Sequence, residues 1–474
     1  MAVRRENVIM LTYDLTAGSG PLYEKLYRSI KEDIRSGVLE SGTKMPSKRA
    51  LAGNLGISTV TVENAYEQLI SEGYIFTCPR RGYYVSDIGS AKVRKEAGGQ
   101  KEIVEMPASR QEPVFDFSSN RTENEAFPFS VWAKLMRETI SEREKELMEV
   151  SPSGGVRQLR EAIADHLASF RGMDVSPEQI IVGAGTEYLY GILIRLLGED
   201  KTYCLENPGY KKLQQVYESS HVRYVLAGMD SGGIRVEDLT RLGADIAHIS
   251  PTHHFPTGIT MPAGRRYELL AWAMEKPERY IIEDDYDSEF RRSGRPVPPL
   301  QSMDGAGKVI YMNTFSKSLS ATIRISYMVL PALLAGEYYR RLGFSSCTVS
   351  TFEQYTLASF ISRGYFEKHI NRMRLHYERK RTKILSVIRE CFSKEECTVI
   401  ENDSGLHFLM KINTSVPDRE VKERFWKEKI RIATITDYET GPDIPNKHLF
   451  ILNYSSMDPE RLREVLIRCK ELFF

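Results

Sequence analysis

The stretch NTFSKSL, residues 313–319, places a lysine where a strand of the predicted fold ends. The apolar run VIYM at 309–312, directly before it, has the length and composition of a buried strand. Lys317 then stands between two serines, at the expected change from strand to loop. A single lysine in such a stretch is most often a solvated turn residue. Its role therefore has to be judged from the other strand ends of the chain.

Four further apolar runs also end in polar or glycine-containing sequence. They are IIV at 180–182 before GAGT, YCL at 203–205 before ENPGY, IAHI at 246–249 before SPTHHFPTG, and YII at 280–282 before EDDY. Helical stretches separate these runs, which is typical of an α/β sheet. In open α/β sheets, ligands bind at the carboxyl ends of the strands. We therefore expect an α/β domain over residues 114–474, with its site at these strand ends.

The composition is that of an ordinary soluble protein of 474 residues, 41% hydrophobic and 27% charged, long enough for two or three domains. No apolar run approaches the roughly 18–20 residues of a membrane span. The opening sequence MAVRRENVIM lacks the apolar core of a signal peptide, so we expect none. The six cysteines form no C-x-x-C pair. This usage favours a cytoplasmic location and predicts neither a zinc site nor a disulfide framework.

A polar segment divides the chain. Residues 87–113 carry five acidic and five basic side chains and almost no apolar periodicity. Because such a segment has little to bury, we interpret it as a flexible linker. The predicted domains are therefore residues 15–86 and residues 114–474.

Residues 15–86 show the order helix, helix, turn, helix, hairpin. The first predicted helix repeats its apolar residues Leu22, Leu26, Ile30 and Ile34 every four positions and stops at Gly37. Ser47 stands at the N-cap position of the second helix, and the third begins at Ser58. The elements are expected at 21–36, 47–55 and 58–72 for the helices and at 74–76 and 83–85 for the strands. This order predicts a winged helix-turn-helix.

Basic residues cluster where such a domain meets DNA. Residues 1–86 hold 11 Lys and Arg against 9 Asp and Glu, and the resulting charge of +2 alone fits a small helical domain with solvated charges. Five of these basic residues fall in two patches, 44–49 and 80–81, and helix N-termini with short hydroxyl side chains lie nearby. Arg80 and Arg81, at the hairpin tip, are expected to enter a minor groove. The predicted DNA-contacting residues are Lys44, Ser47, Lys48, Arg49, Ser58, Thr59, Thr61, Arg80 and Arg81.

The segment SGVLESGTKMPSKRALAGNLGISTVTVENAYEQLISEGYI, residues 36–75, resembles the GntR-type winged helix. The resemblance covers roughly residues 20–86 and implies binding to double-stranded operator DNA. One position departs from the family pattern. The family usually has Arg after Leu-Gly-Val-Ser, and this chain has Thr59 there. The departure implies an operator sequence or affinity that differs from those of relatives.

Other residues supply chemistry that would suit the amine of Lys317. The carboxylates of IIEDDYD, residues 281–287, end a strand, and a buried carboxylate can keep a pyridinium nitrogen protonated. A lysine amine can form a Schiff base with an aldehyde. The turn GAGT at 183–186 opens a helix and offers N–H groups to a phosphate, and Arg324 adds a guanidinium. Tyr210 offers an aromatic face for stacking. Each feature alone is usually structural.

In this order the motifs resemble those of fold-type I pyridoxal phosphate (PLP) enzymes of the aminotransferase class, over about residues 114–474. The resemblance implies that Lys317 forms the Schiff base with PLP. It also implies that Asp284 faces the pyridine nitrogen and Tyr286 the 3′-oxygen. The remaining cofactor-binding residues that it implies, for the phosphate and for stacking, are Gly185, Thr186, Tyr210, Thr314 and Arg324.

A GntR-type winged helix joined to an aminotransferase-like domain resembles the MocR/GabR-type bacterial regulators. The resemblance implies a PLP-dependent transcriptional regulator that senses PLP, or a PLP–amine aldimine, in its large domain. It also implies a homodimer formed through the large domains, with the winged helices packed on the partner's large domain. The expected partners are operator DNA and a small-molecule effector, which would be PLP, an amine or an amino acid. No membrane partner is expected.

Three positions depart from the aminotransferase pattern. Phe255 stands where aminotransferases have the Asn that contacts the 3′-oxygen, and Glu187 stands where Gln is common beside the phosphate. Ile451 replaces the Arg that pairs with the substrate α-carboxylate. We therefore expect no efficient transamination, and an effector that is PLP itself or an amine held by other groups such as Lys212 or Arg121.

Two other readings of the large domain remain open. It could be an active PLP-dependent aminotransferase that carries a DNA-binding domain, or a degenerate scaffold that only dimerises that domain. Intact Lys317, Asp284 and Arg324 argue against the scaffold, whereas Phe255 and Ile451 argue against the enzyme. No metal site is expected, because the adjacent His253 and His254 point apart on an extended segment. The leading hypothesis is the ligand-responsive regulator.

Overall fold

The computed structural model of the protein describes residues 11–16, 20–88, 112–119, 127–291, 297–401, 405–441 and 447–474. The chain divides into two units, Met1–Ser109 and Arg110–Phe474. Most of the predicted linker, from residue 89 to residue 111, lies outside the described residues. Within the described part of the chain, no helix is both long enough and apolar enough to cross a bilayer.

The N-terminal unit has three helices and a hairpin, in the order that the sequence predicts. They are α1 (Leu22–Ser36), α2 (Lys48–Leu55), α3 (Thr59–Ser71), β1 (Ile75–Cys78) and β2 (Gly82–Val85). Gly37 ends α1 in the left-handed conformation, with φ of 83°. The side chains of Ser47 and Ser58 accept hydrogen bonds from the backbone N–H groups of Ala50 and Thr61, so each serine caps its helix.

One apolar core holds these helices to the hairpin. It includes the predicted face of α3, namely Val62, Ala65, Tyr66 and Leu69, all of which are fully buried. Tyr66 donates a hydrogen bond to the carbonyl of Pro46 (3.0 Å) and contacts the ring of Tyr83 edge-on. Leu22 was expected in the apolar stripe of α1, but it is 45% exposed because it lies in the first turn, beyond the packed part of the helix.

The large unit is built on an eight-stranded sheet, preceded in the chain by the short strand β3 (Phe115–Asp116). The strands of the sheet are β4 (Ile180–Gly183), β5 (Tyr203–Asn207), β6 (Tyr224–Asp230), β7 (Gly233–Ile234), β8 (Ile246–Ile249), β9 (Tyr280–Asp284), β10 (Val309–Thr314) and β11 (Ser326–Val329). Their order is β4-β11-β10-β9-β8-β5-β6-β7. Strands β10, β9, β8, β5 and β6 run parallel, and β11 is antiparallel to both of its neighbours. The five predicted runs are β4, β5, β8, β9 and β10.

Helices cover both faces of this sheet. Those described in the large unit are α4 (Phe129–Glu142), α5 (Glu144–Leu147), α6 (Arg157–Arg171), α7 (Thr186–Leu197), α8 (Lys211–Ser219), α9 (Val236–Arg241), α10 (Ala263–Met274), α11 (Phe315–Ser318), α12 (Ala332–Leu342), α13 (Thr351–Ser362), α14 (Tyr365–Cys391), α15 (Asp418–Lys427) and α16 (Pro459–Cys469). Tyr311 of β10 packs with α6 and α13, whereas its neighbours Ile310 and Met312 pack with α7 on the other face. Burial on both faces explains why these strands are continuous apolar runs.

A second, smaller sheet follows α14. Its strands are β12 (Cys397–Ile400), β13 (His407–Ile412), β15 (Ala433–Thr434) and β16 (Leu449–Asn453), in the order β12-β13-β16-β15, and β14 (Ile430–Arg431) lies between β13 and β15 in the chain. Strand β14 pairs in parallel with β3 and sets Arg431 opposite Asp116. This pairing joins the start of the large unit to its C-terminal part.

The carboxyl ends of β5, β8, β9 and β10 meet at one edge of the large sheet because these strands are parallel. At this edge Lys317 lies on the single-turn helix α11, and not in the loop that the sequence suggested. The turn forms because the side chain of Thr314 caps it, accepting a hydrogen bond from the backbone N–H of Ser316 (3.1 Å). Short 3-10 turns occupy 177–179, 288–290, 300–303, 435–438 and 470–473.

Candidate functional site

A cavity of about 540 Å³ opens at this edge of the sheet. Its volume lies in the range of small-molecule sites, roughly 300–1,000 Å³. Seven of the eight residues predicted to bind the cofactor line it: Thr186, Tyr210, Asp284, Tyr286, Thr314, Lys317 and Arg324. The eighth, Gly185, is the N-cap of α7 beside it. Residues from separate strand ends are therefore brought to one space.

Lys317 has the properties of a nucleophilic amine. Desolvation lowers its pKa from 10.5 to about 8, although the charge of Asp287 acts in the opposite direction. An amine with this pKa is partly neutral near pH 7.5, and only the neutral form has a lone pair with which to attack a carbonyl carbon. The surroundings of Lys317 therefore favour reaction with an aldehyde.

Asp284, at the end of β9, has one carboxylate oxygen engaged and one unused. Tyr190 donates a hydrogen bond to its Oδ2 (2.6 Å), and His248 Nε2 lies 3.9 Å from the same oxygen. Oδ1 is buried and has no hydrogen-bond partner among the described residues. Burial, with a contribution from Asp285, raises the pKa of Asp284 to about 6. A buried carboxylate oxygen without a hydrogen-bond donor is unfavourable, and a protonated ring nitrogen would supply that donor.

The N-terminus of α7 forms a second part of the site. Gly185 has φ of +96°, a value that residues with a side chain rarely adopt, and a Cβ there would lie 2.5 Å from Arg324 Nη2. Arg324 Nη2 donates to Glu187 Oε2 (2.7 Å), and the Lys212 ammonium also binds the Glu187 carboxylate. Although burial acts in the opposite direction, the hydrogen bond from Lys212 brings the pKa of Glu187 below its ordinary value. A helix N-terminus with two cations is an anion site, and here it holds a carboxylate.

Aromatic rings form one wall of the cavity. The half-exposed ring of Tyr210 lies 6.4 Å from the ring of Phe255, edge-on, and Phe255 lies 4.9 Å from the ring of Tyr438. Phe255 has no polar atom with which to contact a cofactor oxygen, as the sequence predicted. Tyr286 Oη lies 3.3 Å from His253 Nδ1. This wall is suited to stacking against a planar ring.

The cavity also contains residues that the sequence did not single out. Glu206, at the end of β5, accepts a hydrogen bond from Ser250 N (3.0 Å) and lies 3.5 Å from His254 Nε2. Burial raises its pKa to about 8. Glu206 could have been predicted to line the site, because it belongs to the ENPGY motif at the end of a strand. The other lining residues missed include Asp116, Ser118, Ser119, Tyr190, His248, Arg431 and Tyr438, and His254, which the sequence analysis considered only for a metal site, also lines the cavity.

Ile451, which the resemblance aligns with the usual carboxylate-binding arginine, is buried with Leu409 and Ile435 in a small apolar cluster and is not among the residues that line the cavity. The sequence suggests Lys212 and Arg121 as other groups that could hold an amine effector. Lys212 lines the cavity, and Arg121 lies outside the described residues.

The two adjacent histidines contact different partners. His253 Nδ1 lies 2.9 Å from Asp287 Oδ2, whereas His254 Nδ1 lies 2.7 Å from Thr257 Oγ1. Among the described residues, no group of three or more histidine, cysteine or acidic side chains is arranged to hold a metal ion.

The residues predicted to contact DNA lie on two exposed parts of the N-terminal unit. Thr59 is exposed at the start of α3, and Arg49 is exposed on α2. Arg80 and Arg81 are exposed at the tip of the β1–β2 turn, where Arg80 has φ of 62°. Lys44 is joined to Tyr84 by a backbone bridge.

Several of these predicted residues are already engaged within the unit. Ser47 and Ser58 cap α2 and α3, and the Ser58 hydroxyl also lies 2.8 Å from that of Thr61. Lys48 Nζ binds Glu63 Oε1 (2.5 Å), which reduces the positive charge that it presents to DNA.

Comparison with known proteins shows the same two parts. Residues 22–85 match the family "Bacterial regulatory proteins, gntR family", and residues 112–468 match "Aminotransferase class I and II". The kynurenine aminotransferase of Pyrococcus horikoshii superposes with a TM-score of 0.67 at 23% identity, covering 79% of this chain and 96% of that one, which establishes the fold.

Two relatives share both parts. The HTH-type transcriptional regulator YdeL of Bacillus subtilis, itself uncharacterized, is 36% identical over 95% of this chain and 96% of its own length. The probable rhizopine catabolism regulatory protein MocR of Rhizobium meliloti is 30% identical over 96% of this chain and 94% of its own. The chain therefore belongs to the MocR-type transcriptional regulators, which join a gntR-family DNA-binding domain to a domain of the class I and II aminotransferase family.

Proposed function

We propose that this regulator binds PLP in the large-unit cavity and that the bound cofactor, alone or with an amine, changes its affinity for operator DNA. The observation that carries the proposal is the unused, buried Oδ1 of Asp284 in the same cavity as the low-pKa amine of Lys317. When bound, PLP supplies an aldehyde and an electron-withdrawing ring. The residues around the cavity fit both the aldehyde and the ring.

Each part of the cavity has a separate role in this proposal. Asp284 Oδ1 would accept a hydrogen bond from the ring nitrogen, while Tyr190 fixes the other oxygen of the carboxylate. The N-terminus of α7, Thr186 and Arg324 would hold the phosphate. Lys317 would supply the amine nucleophile for the aldehyde. Tyr210 would offer its ring for stacking, and Tyr286 its hydroxyl to the 3′-oxygen.

We further propose that the DNA-binding domain spans 15–86, that 87–113 is the linker, and that the domain over 114–474 forms a homodimer. Apolar side chains on one surface of the large unit support the homodimer. Met148 and Val150 are 84% and 78% exposed. Thr351 Oγ1 donates to the Leu147 carbonyl (3.3 Å), which places exposed Phe352 nearby. A cluster of exposed apolar side chains is typical of an interaction surface.

An active aminotransferase is the second candidate, and the presence of both Lys317 and Asp284 favours it. The loss of the usual arginine at Ile451 opposes it, because nothing at that position would orient an α-carboxylate. Release of an oxo acid from an amino acid, with a second oxo acid as acceptor, would support the enzyme.

The proposal is tested by adding PLP to wild-type protein and to the Lys317→Ala variant. Lys411→Ala, an exposed lysine on β13, is the matched control. We expect a new visible absorption band in the wild type and the control and none in Lys317→Ala. After borohydride reduction, mass spectrometry should locate the added mass on Lys317. Identical spectra for the wild type and Lys317→Ala would overturn the proposal and leave the large domain as a scaffold.

A further inference from the structure

The cavity contains a cation that neither the family pattern nor the proposed cofactor accounts for. Arg431, on β14, lines the same cavity as Lys317. Its Nη1 donates to Asp116 Oδ2 (3.1 Å), and its guanidinium lies 5.9 Å from the centre of the Trp426 ring. The pairing of β3 with β14 fixes this position, because it sets Arg431 directly opposite Asp116.

Asp116 is held independently of Arg431. Its Oδ1 accepts hydrogen bonds from the backbone N–H (2.9 Å) and the hydroxyl (2.8 Å) of Ser118. The carboxylate therefore holds the guanidinium in a defined place. Within the described part of the chain, Nε and Nη2 of Arg431 have no hydrogen-bond partner. Two N–H-bearing atoms thus remain for a ligand, in a side chain that is 41% exposed at the cavity.

The other cations of the cavity are already committed. Arg324 and Lys212 both bind Glu187 at the N-terminus of α7, which is the phosphate end in our proposal. Lys317 is the nucleophile. Of the basic side chains that line the cavity in the described residues, Arg431 therefore remains for a further anionic group.

We infer that the effector is an amine that also carries a carboxylate, and that Arg431 binds this carboxylate. The inference rests on the proposed function, since the amine of the effector would act at the cofactor bound to Lys317. A guanidinium suits a carboxylate because its N–H groups match the two oxygens. Arg431 thus takes over the task that Ile451 cannot perform, from a different strand.

The experiment uses full-length PLP-loaded protein titrated with pairs of amines that differ only in the carboxylate. The probes are glycine, β-alanine, 4-aminobutanoate and 5-aminopentanoate. Each is paired with the n-alkylamine in which a hydrogen replaces the carboxylate. The readout is the shift of the cofactor absorption band. The variants are Arg431→Gln, Arg431→Lys and Lys212→Gln, with Arg424→Gln, on α15 and outside the cavity lining, as the control. PLP affinity is measured for each variant by equilibrium dialysis.

We expect at least one amino acid to bind tenfold or more tightly than its matched amine in the wild type. Arg431→Gln should abolish this preference without changing PLP affinity or the affinity for the bare amine, and Arg431→Lys should retain part of it. Equal binding of both members of every pair would overturn the inference, as would loss of the preference in Lys212→Gln but not in Arg431→Gln. Failure of the wild type to bind PLP would instead overturn the proposed function, and the inference with it.

Discussion

Lys317 shows how burial alone prepares one residue for chemistry. Its pKa of about 8, against an ordinary value of 10.5, arises from desolvation. Neutral amine is scarce below that pKa and dominates above it. We therefore predict that the rate of PLP incorporation rises with pH, with a midpoint near 8, and levels off above about pH 9. Asp284, with a pKa of about 6, is mostly ionised near this midpoint, so the titration of Lys317 dominates the profile there.

Stopped-flow absorption from pH 6.5 to 10.5 measures this rate profile. A rate that continues to rise up to pH 10 would show that the amine is not desolvated and would contradict the prediction.

Glu187 already pairs with the two cations that we propose for the phosphate end of the site. Its carboxylate occupies the two cations at the N-terminus of α7, so a phosphate has to displace it. We predict that Glu187→Gln increases PLP affinity about two- to fivefold, as expected for one partly exposed ion pair. Glu337→Gln, which breaks an exposed pair with Arg340 on α12, should leave PLP affinity unchanged. Equilibrium dialysis distinguishes these results, and weaker PLP binding by Glu187→Gln would contradict the account.

At the scale of elements, local signals predicted most of the fold. Each of these signals is contained within a few residues of sequence. They are the serine at the N-cap of α2, the glycine that ends α1 and the apolar runs of strand length. The site residues at the ends of β5, β9 and β10 followed from the same runs. The pairing of β3 with β14 could not be predicted, because each is two residues long and Asp116 and Arg431 are 315 residues apart. Arg431 was missed for this reason.

An ion pair joins helices α2 and α3 on the surface predicted to contact DNA. Lys48 Nζ lies 2.5 Å from Glu63 Oε1. We predict that Glu63→Gln frees Lys48 for a phosphate, raises the affinity for DNA and steepens the dependence of log K on log salt by up to about 0.9. Glu24→Gln, which breaks an exposed pair with Arg28 on α1, should change neither quantity appreciably.

Fluorescence anisotropy with one DNA duplex at several salt concentrations measures both quantities. An unchanged slope and affinity in Glu63→Gln would show that Lys48 makes no phosphate contact.

For the whole molecule, assembly is the first property to test. We predict that the wild type sediments at twice the mass of one chain at micromolar concentration. Met148→Lys combined with Val150→Lys should shift it towards monomer, because lysine ammonium groups resist burial in an apolar interface. Ile467→Lys, an equally exposed apolar position on α16, serves as the control. Analytical ultracentrifugation measures the mass of the assembly for each variant. A monomeric wild type, or a double variant that stays dimeric, would contradict the proposed surface.

The central claim is that PLP at Lys317 changes DNA binding by the intact regulator. The most direct test is the Kd for a DNA duplex selected by the protein from a random pool, measured with and without saturating PLP in the wild type, Lys317→Ala and Lys411→Ala. We predict a change of about fivefold or more in the wild type and in Lys411→Ala, and none in Lys317→Ala. The same Kd with and without PLP in the wild type, or an equal change in Lys317→Ala, would contradict the account.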